Sequence, residues 1–341
     1  MIRHAPLFLV IALLFFGCGG STGSLPSSAG GQEEILVVMD KGQWESEPGI
    51  AVRALLEQPI AGMPQREARF RVAQCRRQDF ASLLQVHHSV LFADIGAKGE
   101  GLRWRKDLHA RGQLVAEVSA PDPVSWMRIL NERGPEILQA FEAHQRARTT
   151  QRLVRERDNA LVNTLQARYG MRLNIPGGYR IIKETDRFLW LQRDRLMSGS
   201  GLEHNVIEGV LVHTHPYTSD STWNVPHLVE LRDSVTRAYV NGPDPGSYMI
   251  VQRAFDEIDL MPGGYAVDLN GEFAFVMHGL FGMHGAKMGG PFISLSTLDP
   301  SGTRIVTVEG FVYAPQFDKR SYMRELEALV FSLRFDEEAT P

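Results

Sequence analysis

The chain has 341 residues, which is more than one small core needs and is a usual length for two domains. With 43% hydrophobic and 22% charged residues, its composition is that of an ordinary globular protein and excludes a largely disordered chain. A formal charge of -4 is too balanced for an obvious nucleic-acid binder, so we expect no nucleic-acid partner. Two cysteines exclude a disulfide scaffold and a Cys-rich zinc fold.

Residues 1–17 have the pattern of a secretory signal peptide. Arg3 provides a basic start, and residues 7–16 form an apolar run that is too short to span a bilayer, which takes about 20 residues. The stretch Leu14-Phe-Phe-Gly-Cys18 resembles a bacterial lipobox, although Phe15 stands where Leu is usual. The resemblance implies that Cys18 is acylated and becomes the mature amino terminus; the alternative is a plain signal peptide that is cut elsewhere.

An acylated Cys18 would attach the protein to a membrane through its acyl chains. Residues 18–33 are rich in Gly and Ser, which predicts a flexible tether. Under the sorting logic of lipoproteins, Gly19 in place of Asp favours the outer membrane, and the lack of an acidic run after Cys18 favours the leaflet that faces the periplasm. Cys75, the only other thiol, then has no partner in the chain, and we expect it in a core.

Residues 34–121 predict an N-terminal domain of α and β layers. Short apolar or alternating runs predict strands, and two helices are expected, the second of them capped by Asp79. The strands are expected at 35–39, 68–74, 90–95 and 113–119, and the helices at 49–57 and 79–86.

Residues 122–170 predict a helical connector. Gly134-Pro135 predicts the end of one helix and the start of another. The segment 142–152 is almost free of large apolar residues, as in a helix that bridges domains through solvent. Arginines at 146, 148, 152, 155 and 157 leave two interpretations, a phosphate-binding strip or a solvated helix face. Because acidic residues are interleaved with these arginines, the solvated face is favoured.

Residues 171–336 predict a C-terminal domain made mostly of antiparallel strands. Asn270-Gly271 lies between two alternating runs, which is a strong signal of a β-hairpin. Residues 226–240 and 319–331 predict helices, the second capped by Asp318. We therefore expect an α+β fold of two α/β sandwich-like domains, mostly antiparallel sheet with covering helices, joined by the long helical segment.

His213 and His215 are the strongest candidates for metal ligands. Residues i and i+2 of a strand face the same side, so both rings can meet one zinc ion. His213-Thr-His-Pro216 also matches the centre of the JAMM-type metalloprotease motif, but Trp223 and Pro226 stand where that motif needs Ser and Asp. Since a catalytic zinc takes three protein ligands plus a water, two half-exposed histidines at a strand end are the favoured interpretation.

Several stretches of the mature chain resemble one family. They are Pro64–Phe70, Arg232-Asp233, Gly242–Met249, Met288–Phe292, Glu309–Pro315 and Lys319-Arg320. Together with the lipobox, they are similar to an uncharacterised lipoprotein family of the Bacteroidota that is known only as a domain of unknown function. The C-terminal half is also similar to PsbP/Mog1-like domains. Because the first family has no established activity, the resemblance implies no catalytic residue.

The sequence leads to three hypotheses about function. The first is a lipid-anchored, non-enzymatic envelope protein that needs no cofactor and binds a partner through the surface of residues 230–320. The second is a zinc-dependent hydrolase that uses His213 and His215, and the third is a purely structural role in envelope assembly. Gly, Pro and aromatic residues suit close packing more than proton transfer, which favours binding. The candidate binding residues are Trp223, Arg232, Asp233, Tyr248 and Phe292.

Overall fold

The computed structural model describes residues 24–199 and 201–335. The predicted signal peptide and Cys18 lie outside the described residues. Within the part that is described, no helix is both long and apolar enough to cross a membrane.

The N-terminal domain is built on a five-stranded sheet. Its elements in chain order are β1 (Glu34–Val38), α1 (Lys41–Trp44), α2 (Glu47–Leu56), β2 (Arg71–Cys75), β3 (Ser89–Ile95), β4 (Gly101–Lys106) and β5 (Leu114–Ala120). The strand order is β2-β1-β3-β5-β4, and only β4 runs antiparallel to its neighbour. Parallel strands need long crossover connections, which here are α2 and the segment between β2 and β3.

Two helices follow the N-terminal sheet. They are α3 (Pro123–Glu156) and α4 (Asn159–Tyr169). Trp126 and Phe141 of α3 are fully buried in the same core cluster as Ile35 of β1 and Val52 of α2. The first half of α3 therefore covers one face of the N-terminal sheet. On the other face lies a smaller cluster that includes Cys75, which is buried as expected.

The C-terminal domain is a large antiparallel sheet with helices on both faces. Its elements are β6 (Met171–Arg172), β7 (Arg180–Thr185), β8 (Phe188–Gly199), β9 (Leu202–Pro216), α5 (Val225–Tyr239), β10 (Tyr248–Val251), β11 (Ala254–Phe255), β12 (Ile258–Asp259), β13 (Gly263–Leu269), β14 (Glu272–His284), β15 (Ala286–Leu298), β16 (Arg304–Tyr313), α6 (Arg320–Val330) and β17 (Arg334–Phe335). The main strand order is β10-β14-β15-β16-β9-β8-β7, with β13 paired to β14.

Alternation along the central strands supplies both cores of this domain. On β9, Val210 and Val212 pack in the core that includes α6, whereas Leu211 packs in the core that includes α5. The expected α+β class with sandwich-like layers is confirmed. The expected hairpin is also present, since Leu269 pairs with Glu272 and both residues of the turn have positive φ.

The expected helix break at Gly134-Pro135 is wrong, because α3 is one helix of 34 residues. Gly134 has a different role, which is to let α2 approach. A Cβ at this position would lie 2.8 Å from Leu55 Cδ1, closer than van der Waals contact permits. The glycine is thus explained by close packing between two helices rather than by a helix end.

The expected tether of residues 18–33 is wrong for its second half. The backbone of Ser28 donates to Arg111 O at 3.0 Å, and the backbone of Ala29 donates to Val86 O at 2.8 Å. Glu33 is only 2% exposed and accepts a hydrogen bond from Arg320 Nε at 3.1 Å. Residues 26–33, called here the N-terminal segment, are therefore part of the folded domain despite their Gly and Ser content.

Two predicted caps are also wrong. Asp79 does not begin a helix: a short 3-10 turn, Arg77–Asp79, ends there, and its carboxylate binds Arg76 at 2.6 Å. Asp318 does not cap α6 either. The carboxylate of Glu67, which is far away in the sequence, accepts from the backbone of Lys319 at 2.8 Å and of Arg320 at 2.7 Å.

Candidate functional site

A cleft of about 310 Å³ lies where the two domains meet. The loop after α2, residues 60–63, forms one wall, and α3 contributes Glu142. The C-terminal domain contributes Tyr265 from β13, His278 from β14, and three side chains of α6: Met323, Arg324 and Glu327. Because both domains supply its walls, the cleft exists only when they are packed together.

Charged side chains form a continuous chain of ion pairs along this cleft. Glu142 accepts from Arg69 Nη1 at 2.8 Å and from Arg324 Nη2 at 3.0 Å. Glu327 accepts from Arg324 Nη1 at 3.1 Å and from Arg146 Nη1 at 3.0 Å. Three guanidinium groups thus pair with two carboxylates in this network, which leaves one formal positive charge in excess; Arg146 pairs with Glu327 but does not itself line the cleft.

Burial and pairing have opposing effects on Glu327. Burial disfavours its charged form, but Arg324 and Arg146 outweigh this effect and lower the pKa of the carboxyl. Glu327 therefore remains ionised and paired at neutral pH. The Nε atoms of Arg69 and Arg324 are buried and have no hydrogen-bond partner among the described residues. Two N–H donors of the network are thus buried and unsatisfied within the described residues.

An aromatic pair forms another part of the wall of the cleft. The rings of Tyr265 and His278 stack at 5.9 Å with an interplanar angle of 13°. The hydroxyl of Tyr265 lies 3.3 Å from His278 Nε2, within hydrogen-bond distance. Burial lowers the pKa of His278, so this ring is neutral at pH 7. Tyr265 is still 48% exposed, so it presents a flat face to an incoming group.

The cleft adjoins a second depression of about 510 Å³ that shares part of its wall. The two share Ala61, Met63, Tyr265 and His278, and the depression adds Met261. The Tyr265–His278 pair therefore lies where the ion-pair network meets a depression that has no arginine in its wall but does contain the carboxylate of Asp259. Such an arrangement suits a ligand with one polar group and one apolar part.

Three of the predicted binding residues are buried. Arg232, which is 2% exposed, donates two hydrogen bonds of 2.7 Å to Glu309, and its guanidinium lies 4.2 Å from the ring centroid of Phe292. Asp233 accepts from the backbone of Val251 at 2.8 Å. Arg232 and Asp233 are thus internal and cannot contact a partner at the surface, which corrects their assignment. Phe292 is also buried, but its ring reaches the lining of the interdomain cleft.

The structure does not bring Trp223 and Tyr248 to the cleft. Trp223 makes an edge contact with Phe273 at 5.1 Å, and Tyr248 stacks on His284 at 4.8 Å. Each is partly exposed on a different part of the C-terminal domain. They do not form one binding surface with the other three predicted residues.

His213 and His215 lie side by side, but no third ligand joins them in the part of the chain that the structure describes. Their ring centroids are 5.1 Å apart, as expected for neighbours on one face of β9. Among the described residues there is no group of three or more His, Cys, Asp or Glu side chains that could hold a metal ion. His213 is also not half-exposed at a strand end, because it is buried and burial lowers its pKa to about 3. Neither of its ring nitrogens has a hydrogen-bond partner among residues 24–199 and 201–335.

Apart from Phe292, no residue that lines the cleft is among the predicted site residues, and the expected solvated face of α3 is wrong at this point. Glu142 and Arg146 make the ion pairs described above, and Arg152 donates to Glu325 of α6 at 2.6 Å. A usable signal was present, because α6 carries Arg324, Glu325 and Glu327 on a helix with a strong apolar face. Two helices of complementary charge pattern in one chain indicate a possible contact.

Family models match both halves of the chain. The model described as "Domain of unknown function (DUF4837)" matches residues 157–332, just over half of the chain. The chain belongs to this family. A second model, "Domain of unknown function (DUF8532)", matches residues 28–154. The two matches meet at the end of α3, and the second one includes most of the N-terminal segment.

Comparisons with individual proteins give little more. No curated protein matches the chain. A mutant of protein Mog1 and the Ran-binding protein Mog1p of Saccharomyces cerevisiae are each 12% identical, with a TM-score of 0.30. They cover 50% and 49% of this chain, and 93% and 90% of their own. A crystal structure from Bacteroides thetaiotaomicron VPI-5482 is 8% identical and covers 50% of this chain and 46% of its own, with a TM-score of 0.19. These weak likenesses carry no argument about function.

Proposed function

We propose that this protein is a lipid-anchored binding protein of the bacterial cell envelope, and that its ligand enters the cleft between the two domains. The acyl chains are carried by Cys18, and the folded body lies on the periplasmic side of the outer membrane. The lipobox-like stretch before Cys18 supports the anchor, and Gly19 supports the choice of membrane. The motifs that are similar to lipoproteins of the Bacteroidota support the same assignment.

The cleft is the observation that carries the binding role. Its volume is at the lower end of the range for small-molecule sites. The excess positive charge of the ion-pair network selects a ligand with one anionic group. The stacked Tyr265–His278 pair and the side chains of Met63 and Met323 suit an apolar portion next to that group. The ligand is therefore a small molecule, or one side chain of a partner protein, with this character.

The chemistry of the cleft favours binding over catalysis. Glu142 and Glu327 are both engaged with arginines, so neither is a poised general base. His278 is a neutral ring stacked on Tyr265. No observation favours the zinc-dependent hydrolase, because His213 and His215 lack a third ligand in the part of the chain that is described.

Site-specific photo-crosslinking tests the binding role. The full chain carries p-benzoylphenylalanine at Tyr265 or, as a matched control, at Phe273, which is 47% exposed and does not line the cleft. Irradiation of intact cells followed by intact-mass measurement should show a discrete adduct with the Tyr265 variant only. Equal adducts at both positions, or none at either, would refute the binding role of the cleft.

Metabolic labelling tests the anchor independently. Radiolabelled palmitate should be incorporated into the wild-type protein and absent from a Cys18→Ala variant. The wild-type protein should also sediment with outer membranes. An unlabelled wild-type protein would contradict the anchor without affecting the cleft.

A further inference from the structure

A second, basic cleft of about 810 Å³ lies between the N-terminal segment and α3. Five basic side chains and one carboxylate line it, which gives a local formal charge of +4 in a chain whose total is -4. These residues are Lys106, Arg111, Arg148, Arg152, Arg155 and Asp107. Such a concentration of one sign of charge attracts an anionic ligand.

The basic side chains of this cleft are mostly uncompensated. Arg148 is partly buried, yet its Nη1 donates to Ser28 Oγ at 2.8 Å and makes no ion pair with a described carboxylate. Burial and the nearby charge of Arg155 both lower the pKa of Arg148. The carboxylate of Asp107 is occupied by the backbone N–H of Gly112 at 2.6 Å.

Lys106, Arg111 and Arg155 also make no ion pair with a carboxylate within residues 24–199 and 201–335. Of the five, Arg152 alone is paired with described carboxylates, those of Glu156 and Glu325. Four of the five cations are therefore available to an anion. Arginines at one site can bind the oxygens of a phosphate in bidentate fashion.

The position of the cleft links it to the anchor. Ser27 and Ser28 of the N-terminal segment form part of its wall, and Arg148 holds Ser28 in place. Eight residues lie between Cys18 and Ser27, and the nine Cα-to-Cα steps of a fully extended chain span at most about 30 Å. A membrane that holds Cys18 is thus within reach of the basic cleft.

We propose that the basic cleft binds the phosphate of anionic phospholipid headgroups in the membrane that carries the Cys18 anchor. This inference rests on the proposed anchor and adds a second attachment to it. It also gives the arginines of α3 a role that the solvated-face interpretation did not. Acyl chains and a basic patch together give firm attachment and fix the orientation of the folded body.

Vesicle binding of the full chain with Cys18→Ser tests the proposal without the anchor. Vesicles of phosphatidylcholine alone are compared with vesicles that also contain phosphatidylglycerol. The protein should bind the anionic vesicles more tightly, and salt should weaken this preference. Arg148→Ala and Arg155→Ala should each weaken it by about 5-fold, since each basic residue near an anionic surface contributes about that factor.

Arg66→Ala is the matched control, because Arg66 is exposed in the same domain but does not line the cleft. Arg155 is exposed and Arg155→Ala should not affect folding, so it keeps the test valid if Arg148→Ala loosens the N-terminal segment. Every variant contains the predicted signal peptide of residues 1–17, so any membrane affinity of that segment is the same in all of them.

Several results would overturn the proposal. Equal binding to both kinds of vesicle would do so, and so would an anionic preference that neither cleft variant changes. Stabilisation by inorganic phosphate without vesicle binding would assign the cleft to a soluble phosphate instead. Because the Cys18→Ser protein is used, these outcomes are independent of whether palmitate labels the wild type.

Discussion

The carboxylate of Glu67 joins the two domains by capping α6, and its removal should destabilise the protein strongly. The backbone N–H of Lys319 donates to both of its oxygens, at 2.8 and 2.9 Å, and that of Arg320 donates to one at 2.7 Å. Glu67 is only 5% exposed, so water cannot easily replace it. Hydrogen bonds to charged groups contribute about 1.5 kcal/mol or more each. Glu67→Ala leaves two backbone N–H groups without an acceptor, so it should lower the free energy of unfolding by about 3 kcal/mol.

Urea denaturation of the full chain measures this cost. Glu67→Gln keeps one acceptor oxygen and should lose about half as much free energy of unfolding as Glu67→Ala. Glu272→Ala, at an exposed position without a described partner, is the control and should change stability by less than about 0.5 kcal/mol. If Glu67→Ala behaves like the control, the carboxylate does not cap α6 in solution and the reasoning fails.

Three further predictions concern the C-terminal domain. The pKa of His213 is near 3 in the folded state and about 6.5 in the unfolded state. As the pH drops below 6.5, the ring therefore takes up a proton in the unfolded state only, and the folded state becomes less stable. Between pH 7 and pH 5 the free energy of unfolding should fall by about 2 kcal/mol. His213→Leu should remove this part of the pH dependence in urea titrations, and an unchanged slope would contradict the assignment. Arg232→Met or Glu309→Gln should each lower the free energy of unfolding by about 3–5 kcal/mol, because each leaves one buried charged or polar group without its partner. The apolar double variant Arg232→Met with Glu309→Leu should lose less free energy of unfolding than the two single changes added together. Gly209→Ala should lower the melting temperature far more than Gly263→Ala. A Cβ at position 209 would lie 2.1 Å from the buried ring of Phe311, whereas position 263 faces open space. Equal effects of the two substitutions would show that the Phe311 ring moves freely.

Local features of the fold were predictable from the sequence. The hairpin at Asn270-Gly271 was, because a two-residue turn with positive φ at both positions demands such residues. The strands predicted at 90–95 and 113–119 lie within one residue of the observed β3 and β5, because short apolar runs and burial coincide there. These signals depend only on neighbours in the sequence.

Features that depend on distant residues were not predictable in the same way. Gly134-Pro135 has the sequence of a helix end, and only the packing of Leu55 against Gly134 explains it otherwise. Glu67 caps a helix that begins more than 250 residues later. Nothing in the Gly/Ser-rich N-terminal segment indicates that Glu33 is buried against Arg320.

The candidate site was missed for the same physical reason. A charged helix face such as that of α3 is stable either in water or against a complementary face, and composition alone does not distinguish the two. Arg146 and Glu327 pair across 181 positions of the chain. Their partnership follows from how the domains pack rather than from any local pattern.

The unbroken course of α3 has a consequence for how the interdomain cleft operates. At 34 residues the helix is about 50 Å long, and both domains pack on it, one on each half. The helix therefore restricts relative motion of the two domains, since rotating one against the other would require bending α3 or separating it from α6. The interdomain cleft is thus preformed in the absence of a ligand. The ligand proposed for this cleft should bind without a domain closure, so the kinetics of association should show no slow conformational step.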